Sequence, residues 1–233
     1  MDEKTSASST PLQEVLAGDL GLTWWQPQLD HTRINTLCET LRRPENQHLW
    51  AATPWGRTLP RSCVGTNADR YLGDLKQQPQ ELINNLHQAF FVPVAALFGE
   101  HFATRVRPLH THLGQAVPAW ALREMASGEG IPPHCEQDWN DLNLIETGAL
   151  LKPDFEPRFQ MSFLYGVQSA TEGGELALTE SGERHHLCPG HLLLFNAGSH
   201  RHQVLPTHGR QLRVVLGGFL RLNRSHTSLH CYV

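Results

Sequence analysis

The chain has 233 residues, of which 39% are apolar and 18% charged, with a formal net charge of -4. That length supports one large core and the mixture is too apolar for a disordered chain, while basic residues scattered without a dense Lys/Arg run exclude the electrostatic footprint of a nucleic-acid binder. No apolar stretch reaches the roughly 18 to 20 residues a bilayer span needs, and the opening MDEKTSASST lacks the basic and apolar regions of a signal peptide, so a cytoplasmic protein with neither membrane nor nucleic-acid partners is expected.

Residues 1–12 are mostly small and polar and read as a flexible arm, leaving 13–233 as a single domain. Up to about residue 60, Trp24, Trp25, Trp50 and Trp55 suggest aromatic packing interrupted by Pro44, Pro54 and Pro60, which predicts short helices and loops. From Leu72 to Phe98, apolar residues recur at three- and four-residue steps, the period of an amphipathic helix, with Pro93 expected to kink or interrupt it. A helical flank over about 13–105 is therefore expected.

Beyond about residue 115 the period changes to short β-like runs: PAWALREMA, RFQMSFLYGV, GELALTE, HLLLFN and QLRVVLGGFL. Turns at Glu172-Gly173-Gly174 and Pro189-Gly190 separate them, and the spacing suits a double-sheet jelly roll over about 115–222 better than an alternating βαβ fold. The fold class is thus mainly β with flanking helices. Five cysteines (Cys38, Cys63, Cys135, Cys188, Cys231), odd in number and never in a CxxC, read as reduced thiols.

His134 and Glu136 stand two apart on an extended segment, so an imidazole and a carboxylate point to one side. His202 follows 68 residues later, beyond the strand HLLLFN. If those strands are neighbours, two neutral nitrogens and one carboxylate take one face of an octahedral metal and leave three adjacent positions open, the arrangement a ferrous ion needs for a bidentate 2-oxo acid and O2. Arg213 lies at the start of the next apolar strand, where its guanidinium can fork onto the far carboxylate of 2-oxoglutarate. Arg210, after Gly209, is a rival expected to sit in the turn, and His200, two residues before His202, is a rival ligand. HxE alone is more often a solvated strand edge, and GGEL alone more often a hairpin turn; the order of the motifs carries the reading.

The string HxE, GGEL, PGHLLLFN, HxV and a following Arg resembles the Fe(II)/2-oxoglutarate dioxygenase superfamily across roughly residues 120–222. LREMASGEGIPPHCE, QMSFLYGVQ, LLLFN and VVLGGFL are similar to the small bacterial oxygenases and halogenases that act on free amino acids without a carrier protein. The resemblance implies His134, Glu136 and His202 as iron ligands, Arg213 as the cosubstrate anchor, and Fe(II), 2-oxoglutarate and O2 as cofactors. In the halogenase branch a small residue replaces the carboxylate ligand, so Glu136 implies hydroxylation. Most of the superfamily has Asp there, and Glu is a departure by one methylene. Arg123 and Trp139 are candidates for holding a substrate carboxylate or walling the pocket, although each is more often plain structure. The competing readings are desaturation or cyclisation at the same iron, a non-catalytic cupin-like binding module, and a zinc hydrolase, the last disfavoured because no HExxH occurs.

Overall fold

A computed structural model describes residues 10–18, 21–61, 68–136 and 154–233. Helix α1 (Pro11–Ala17) begins at a capping box in which the Thr10 hydroxyl accepts from the Gln13 backbone and the Gln13 side chain accepts from the Thr10 N–H. Those reciprocal bonds draw Pro11 and Leu12, two residues of the expected arm, into a helix. Strand β1 (Leu22–Trp25) and helix α2 (His31–Leu41), capped by Asp30, follow. A 3-10 turn (Pro44–Leu49) leads into a hairpin of β2 (Ala51–Thr53) and β3 (Gly56–Leu59).

Three strands thus lie where short helices and loops were expected. They are three or four residues long, too short for alternation to register, and neighbouring strands supply their order.

Helices α3 (Ala68–Lys76), α4 (Gln80–Leu86) and α5 (Val92–His101) come next, with a π-turn (His87–Phe91) joining the last two. Pro93 sits in the first turn of α5, so the π-turn marks where the α-helical ladder changes register before a residue without an N–H donor. The run Gln80–His101 spans 22 residues and is long and apolar enough to cross a membrane, contrary to the sequence expectation. Leu86, Phe90, Phe91, Val94 and Phe98 on it are buried in the main core.

The remaining strands are β4 (Arg105–Pro108), β5 (Ala121–Met125), β6 (Ile131–His134), β7 (Phe155–Gln168), β8 (Glu172–Gly173), β9 (Leu176–Leu178), β10 (Arg184–His185), β11 (Leu192–Phe195), β12 (His202–Val204), β13 (Thr207–His208), β14 (Arg213–Asn223) and β15 (Ser228–Tyr232). The five β-like runs of the sequence are β5, β7, β9, β11 and β14. Strand β4 begins where the expected helical flank ends, and β15 carries the sheet beyond residue 222.

The major sheet runs β1-β11-β7-β14-β5-β3-β2, with β15 and β4 extending it from the second half of β14. The minor sheet runs β10-β9-β12-β6, and β8 pairs with β13 as a separate ribbon. This is the double-sheet jelly roll that the sequence implied. One face of the major sheet packs against the helices through Leu122, Phe163, Tyr165, Leu194, Val214 and Leu216. Phe98 meets Phe163 edge-on at 5.4 Å and Phe90 lies 5.2 Å from Tyr165. The opposite face meets the minor sheet across a smaller cluster that includes Leu164, Leu176, Phe195 and Val215. Side chains alternate between the faces, so the odd-numbered residues of β5 and β14 face the minor sheet.

Candidate active site: a His-Glu-His cluster and a buried arginine in one cavity

Strands β6 and β12 are antiparallel, with His134 directly opposite His202. The two imidazole centroids are 4.3 Å apart. Glu136 lies just past β6, where its backbone N–H donates to the Ala197 carbonyl at 3.0 Å. Its Oε1 stands 3.6 Å from His134 Nε2 and 3.7 Å from His202 Nε2. The three side chains are buried and each offers one ligand atom within 4.8 Å of the others.

The hydrogen bonds decide what this cluster can hold. His134 Nδ1 lies 2.8 Å from the Pro132 carbonyl, and His202 Nδ1 lies 2.8 Å from the His200 carbonyl. A carbonyl only accepts, so each Nδ1 carries the proton, and in a neutral ring each Nε2 then presents a lone pair. Two lone pairs and a carboxylate consequently converge with no donor among them. A cation between them resolves that conflict, and oxygen and imidazole donors in this ratio suit a divalent first-row metal. Burial pushes the Glu136 carboxyl up, while positive charge on its two imidazole neighbours holds it down at about 2; a metal cation in their midst would supply the same field, so the group is an anion at neutral pH.

The cluster lines a cavity of about 140 Å³, well above the roughly 10–15 Å³ that admits a single water. Leu164, Leu176, Phe195, Val204 and Val215 make most of its wall apolar. On the major sheet Arg213 also faces it, pairing with Met125 across β14 and β5. Arg213 is 5% exposed; its guanidinium reaches Met125 Sδ at 3.8 Å, and Nη2 has no hydrogen-bond partner among the described residues. Burial, with some help from the charge of Arg123, lowers its pKa to about 10, still far above neutral. A buried cation with an unsatisfied donor facing a cavity is a receptor for an anion.

The rivals separate clearly. Arg210 is exposed in the turn before β14. His200 is outside the ligand cluster and contributes its backbone carbonyl to His202. Cys135 turns its sulfur to the carbonyls of Ala197 and Gly198, away from the ligand atoms. Arg123 lines the cavity with its guanidinium carbon 5.5 Å from the Phe219 ring centre. Trp139 lies outside the described residues.

Sequence reasoning weighed the tryptophans up to Trp55 as pocket closure, preferred core packing, and missed the β2–β3 hairpin, from which Thr53, Trp55 and Thr58 line the cavity. The Pro54-Trp55-Gly56 turn between AAT and RTL was the available signal, since Gly56 has φ 128° and a side chain there would strike the Glu124 carbonyl. It also missed Glu124, buried at 3% exposure and bonded to both Arg42 and Arg57. That trio pins α2 and the hairpin to β5.

No family model matches the sequence, and no curated protein does. Solved structures do. An N-substituted L-amino acid dioxygenase from Burkholderia ambifaria in complex with alpha-KG aligns with TM-score 0.54 and 14% identity, over 94% of this chain and 89% of that one. SnoN, a non-heme alpha ketoglutarate dependent epimerase from nogalamycin biosynthesis, aligns with TM-score 0.51 and 12% identity, over 91% and 82%. HygX from Streptomyces hygroscopicus, with nickel and 2-oxoglutarate bound, aligns with TM-score 0.50 and 11% identity, over 91% and 87%. The chain therefore has the double-stranded β-helix fold of the Fe(II)/2-oxoglutarate-dependent oxygenases.

Proposed function

We propose that this protein is an Fe(II)- and 2-oxoglutarate-dependent oxygenase that hydroxylates an unactivated C–H bond of a small molecule, a free amino acid or an amino-acid derivative. The observation that carries the reading is the shared cavity: two imidazoles of fixed tautomer and a carboxylate converge on one point, and a buried arginine lacking a full set of acceptors faces the same space. The bound metal and cosubstrate supply the oxidation, in which O2 is consumed, 2-oxoglutarate becomes succinate and CO2, and one oxygen atom enters the substrate.

The protein's own share is binding and aim. His134 and His202 donate Nε2 while their Nδ1 protons stay on backbone carbonyls, and Glu136 supplies the negative charge. Arg213 takes the distal carboxylate of the cosubstrate. Leu164, Leu176, Phe195 and Val215 keep water from the reacting centre, and the metal ligands leave no side chain with an acid or base role to perform. Arg123, which lines the cavity on the same sheet face two residues before Met125, would hold a substrate carboxylate on this reading. Buried Cys38 and Cys231 are free thiols, in keeping with a reducing cytoplasmic setting.

Anaerobic addition of Fe(II) and 2-oxoglutarate tests the reading through the visible metal-to-ligand charge-transfer band, followed by a screen of amino acids and their derivatives for succinate release in air. Absence of the band defeats the cofactor assignment. A product heavier by one oxygen establishes hydroxylation, one lighter by two hydrogens establishes desaturation or cyclisation, and a band without succinate places the substrate outside the compounds screened.

A further inference from the structure

The GGEL motif has more to do than turn the chain. Gly174 has φ 76°, and a side-chain carbon built on it would lie 2.8 Å from Arg213 Cδ and 3.1 Å from Thr207 Cγ2. The stem of Arg213 therefore crosses directly over the bare α-carbon of Gly174 on its way into the cavity. Gly174 and Thr207 cannot retreat from an added carbon, whereas the arginine stem can. Gly173 pairs with Thr207 between β8 and β13, and the Leu205 N–H donates to the Glu175 carbonyl at 2.9 Å, so the backbone is fixed on both sides of Gly174. Thr207 is fully buried with its hydroxyl donating to the carbonyls of Ala126 and Glu129, which holds its methyl in place.

We propose that Gly174 is a positioning residue: its missing side chain is the seat of Arg213 and sets how deep the guanidinium stands, and so which length of 2-oxo diacid the cavity accepts. The proposal rests on the reading of Arg213 as the cosubstrate contact. A methyl at 174 has only the arginine to push, because Thr207 and the backbone are held. Displacement moves the positive charge off the distal carboxylate while the metal ligands, on β6, just past it and on β12, stay in place.

The test is calorimetric titration of the Ni(II)-loaded protein with 2-oxoglutarate and with 2-oxopentanoate, which has a methyl where the distal carboxylate would be. Gly174→Ala is expected to weaken 2-oxoglutarate binding about tenfold, the loss of one charge-assisted contact, and to leave 2-oxopentanoate binding within about twofold. Gly182→Ala is the control for backbone strain, since Gly182 has φ 72° with nothing within 4 Å of an added carbon. It should change neither affinity. In an Arg213→Met background Gly174→Ala should add nothing. Should Gly174→Ala fail to fold, Gly174→Ala with Thr207→Ser opens the second contact and carries the same expectation.

Equal weakening of both acids, no weakening of 2-oxoglutarate, or a full added effect in the Arg213→Met background overturns the proposal. If Arg213→Met itself leaves 2-oxoglutarate binding unchanged, the underlying reading of Arg213 falls first. If Arg213→Met weakens binding and Gly174→Ala does not, only the seat is lost.

Discussion

The two sheets that enclose the cavity are unequal partners. The major sheet has strands of up to 14 residues and a helical layer behind it, with Phe90, Phe98 and Phe163 in a core of full density. The minor sheet has strands of two to four residues, and the cluster between the sheets is a quarter-sized version of that core. Yet all the candidate metal ligands belong to the minor sheet and its margin, while the three arginines that line the cavity, Arg57, Arg123 and Arg213, belong to the major one. The lesson is that the candidate anion receptor is carried by the long strands and their large core, whereas a metal ion would tie together short strands with a small one.

That contrast can be broken in several ways, beginning with the core. Phe98→Ala should lower unfolding free energy by about 3–5 kcal/mol in denaturant titration, with metal affinity of the folded fraction unchanged. A loss of metal affinity in step with stability would mean that the two sheets are one unit.

His202→Ala should weaken metal binding by more than the roughly 10–100-fold seen when outer-shell partners are removed, read by competition with a chelating dye, while the thermal transition of the metal-free protein stays close to wild type. In the wild-type protein, chelation should speed hydrogen exchange at β6, β9 and β12 and leave β7 and β14 protected. Uniform acceleration would refute the division.

Arg213→Met should act with opposite signs on binding and stability. Replacing a buried, incompletely bonded guanidinium by an apolar chain should stabilise the metal-free protein by about 1–2 kcal/mol, raising Tm by roughly 2–4 °C per kcal/mol, as calorimetry would record. A lower Tm would show that the major sheet uses this charge for its own stability.

The smallest effect is one of pH. Burial, then the nearby Arg107 and His110, hold His230 on β15 at about 4, below its ordinary 6.5. The folded state therefore binds fewer protons than the unfolded one between those values, so the contribution is intact above about 6.5 and is lost as the pH falls to about 4. His230→Phe should flatten that part of the Tm-against-pH curve; an unchanged slope would place the titration elsewhere.

Which strands were legible from sequence follows the same division. Strands β5, β7, β11 and β14 are apolar runs dense in Leu, Val and Phe and announce themselves. Strand β6 is Ile131-Pro132-Pro133-His134, which no propensity favours; it is tolerated because it is the outer strand of its sheet, where prolines need not donate. The ligand cluster was nonetheless readable, because the i, i+2 spacing of His134 and Glu136 is local geometry. The seat at Gly174 was not, because it depends on a side chain 39 positions away.

Each ligand imidazole is oriented by the carbonyl two residues before it in its own chain, at the same 2.8 Å. Such a tripeptide carries a hydrogen-bonded aiming device within itself, to which the Phe195 ring adds an edge-on contact on His202 at 4.8 Å. Drift in the wall away from Phe195 can therefore retune what the cavity accepts while the hydrogen bonds that aim the two imidazoles persist.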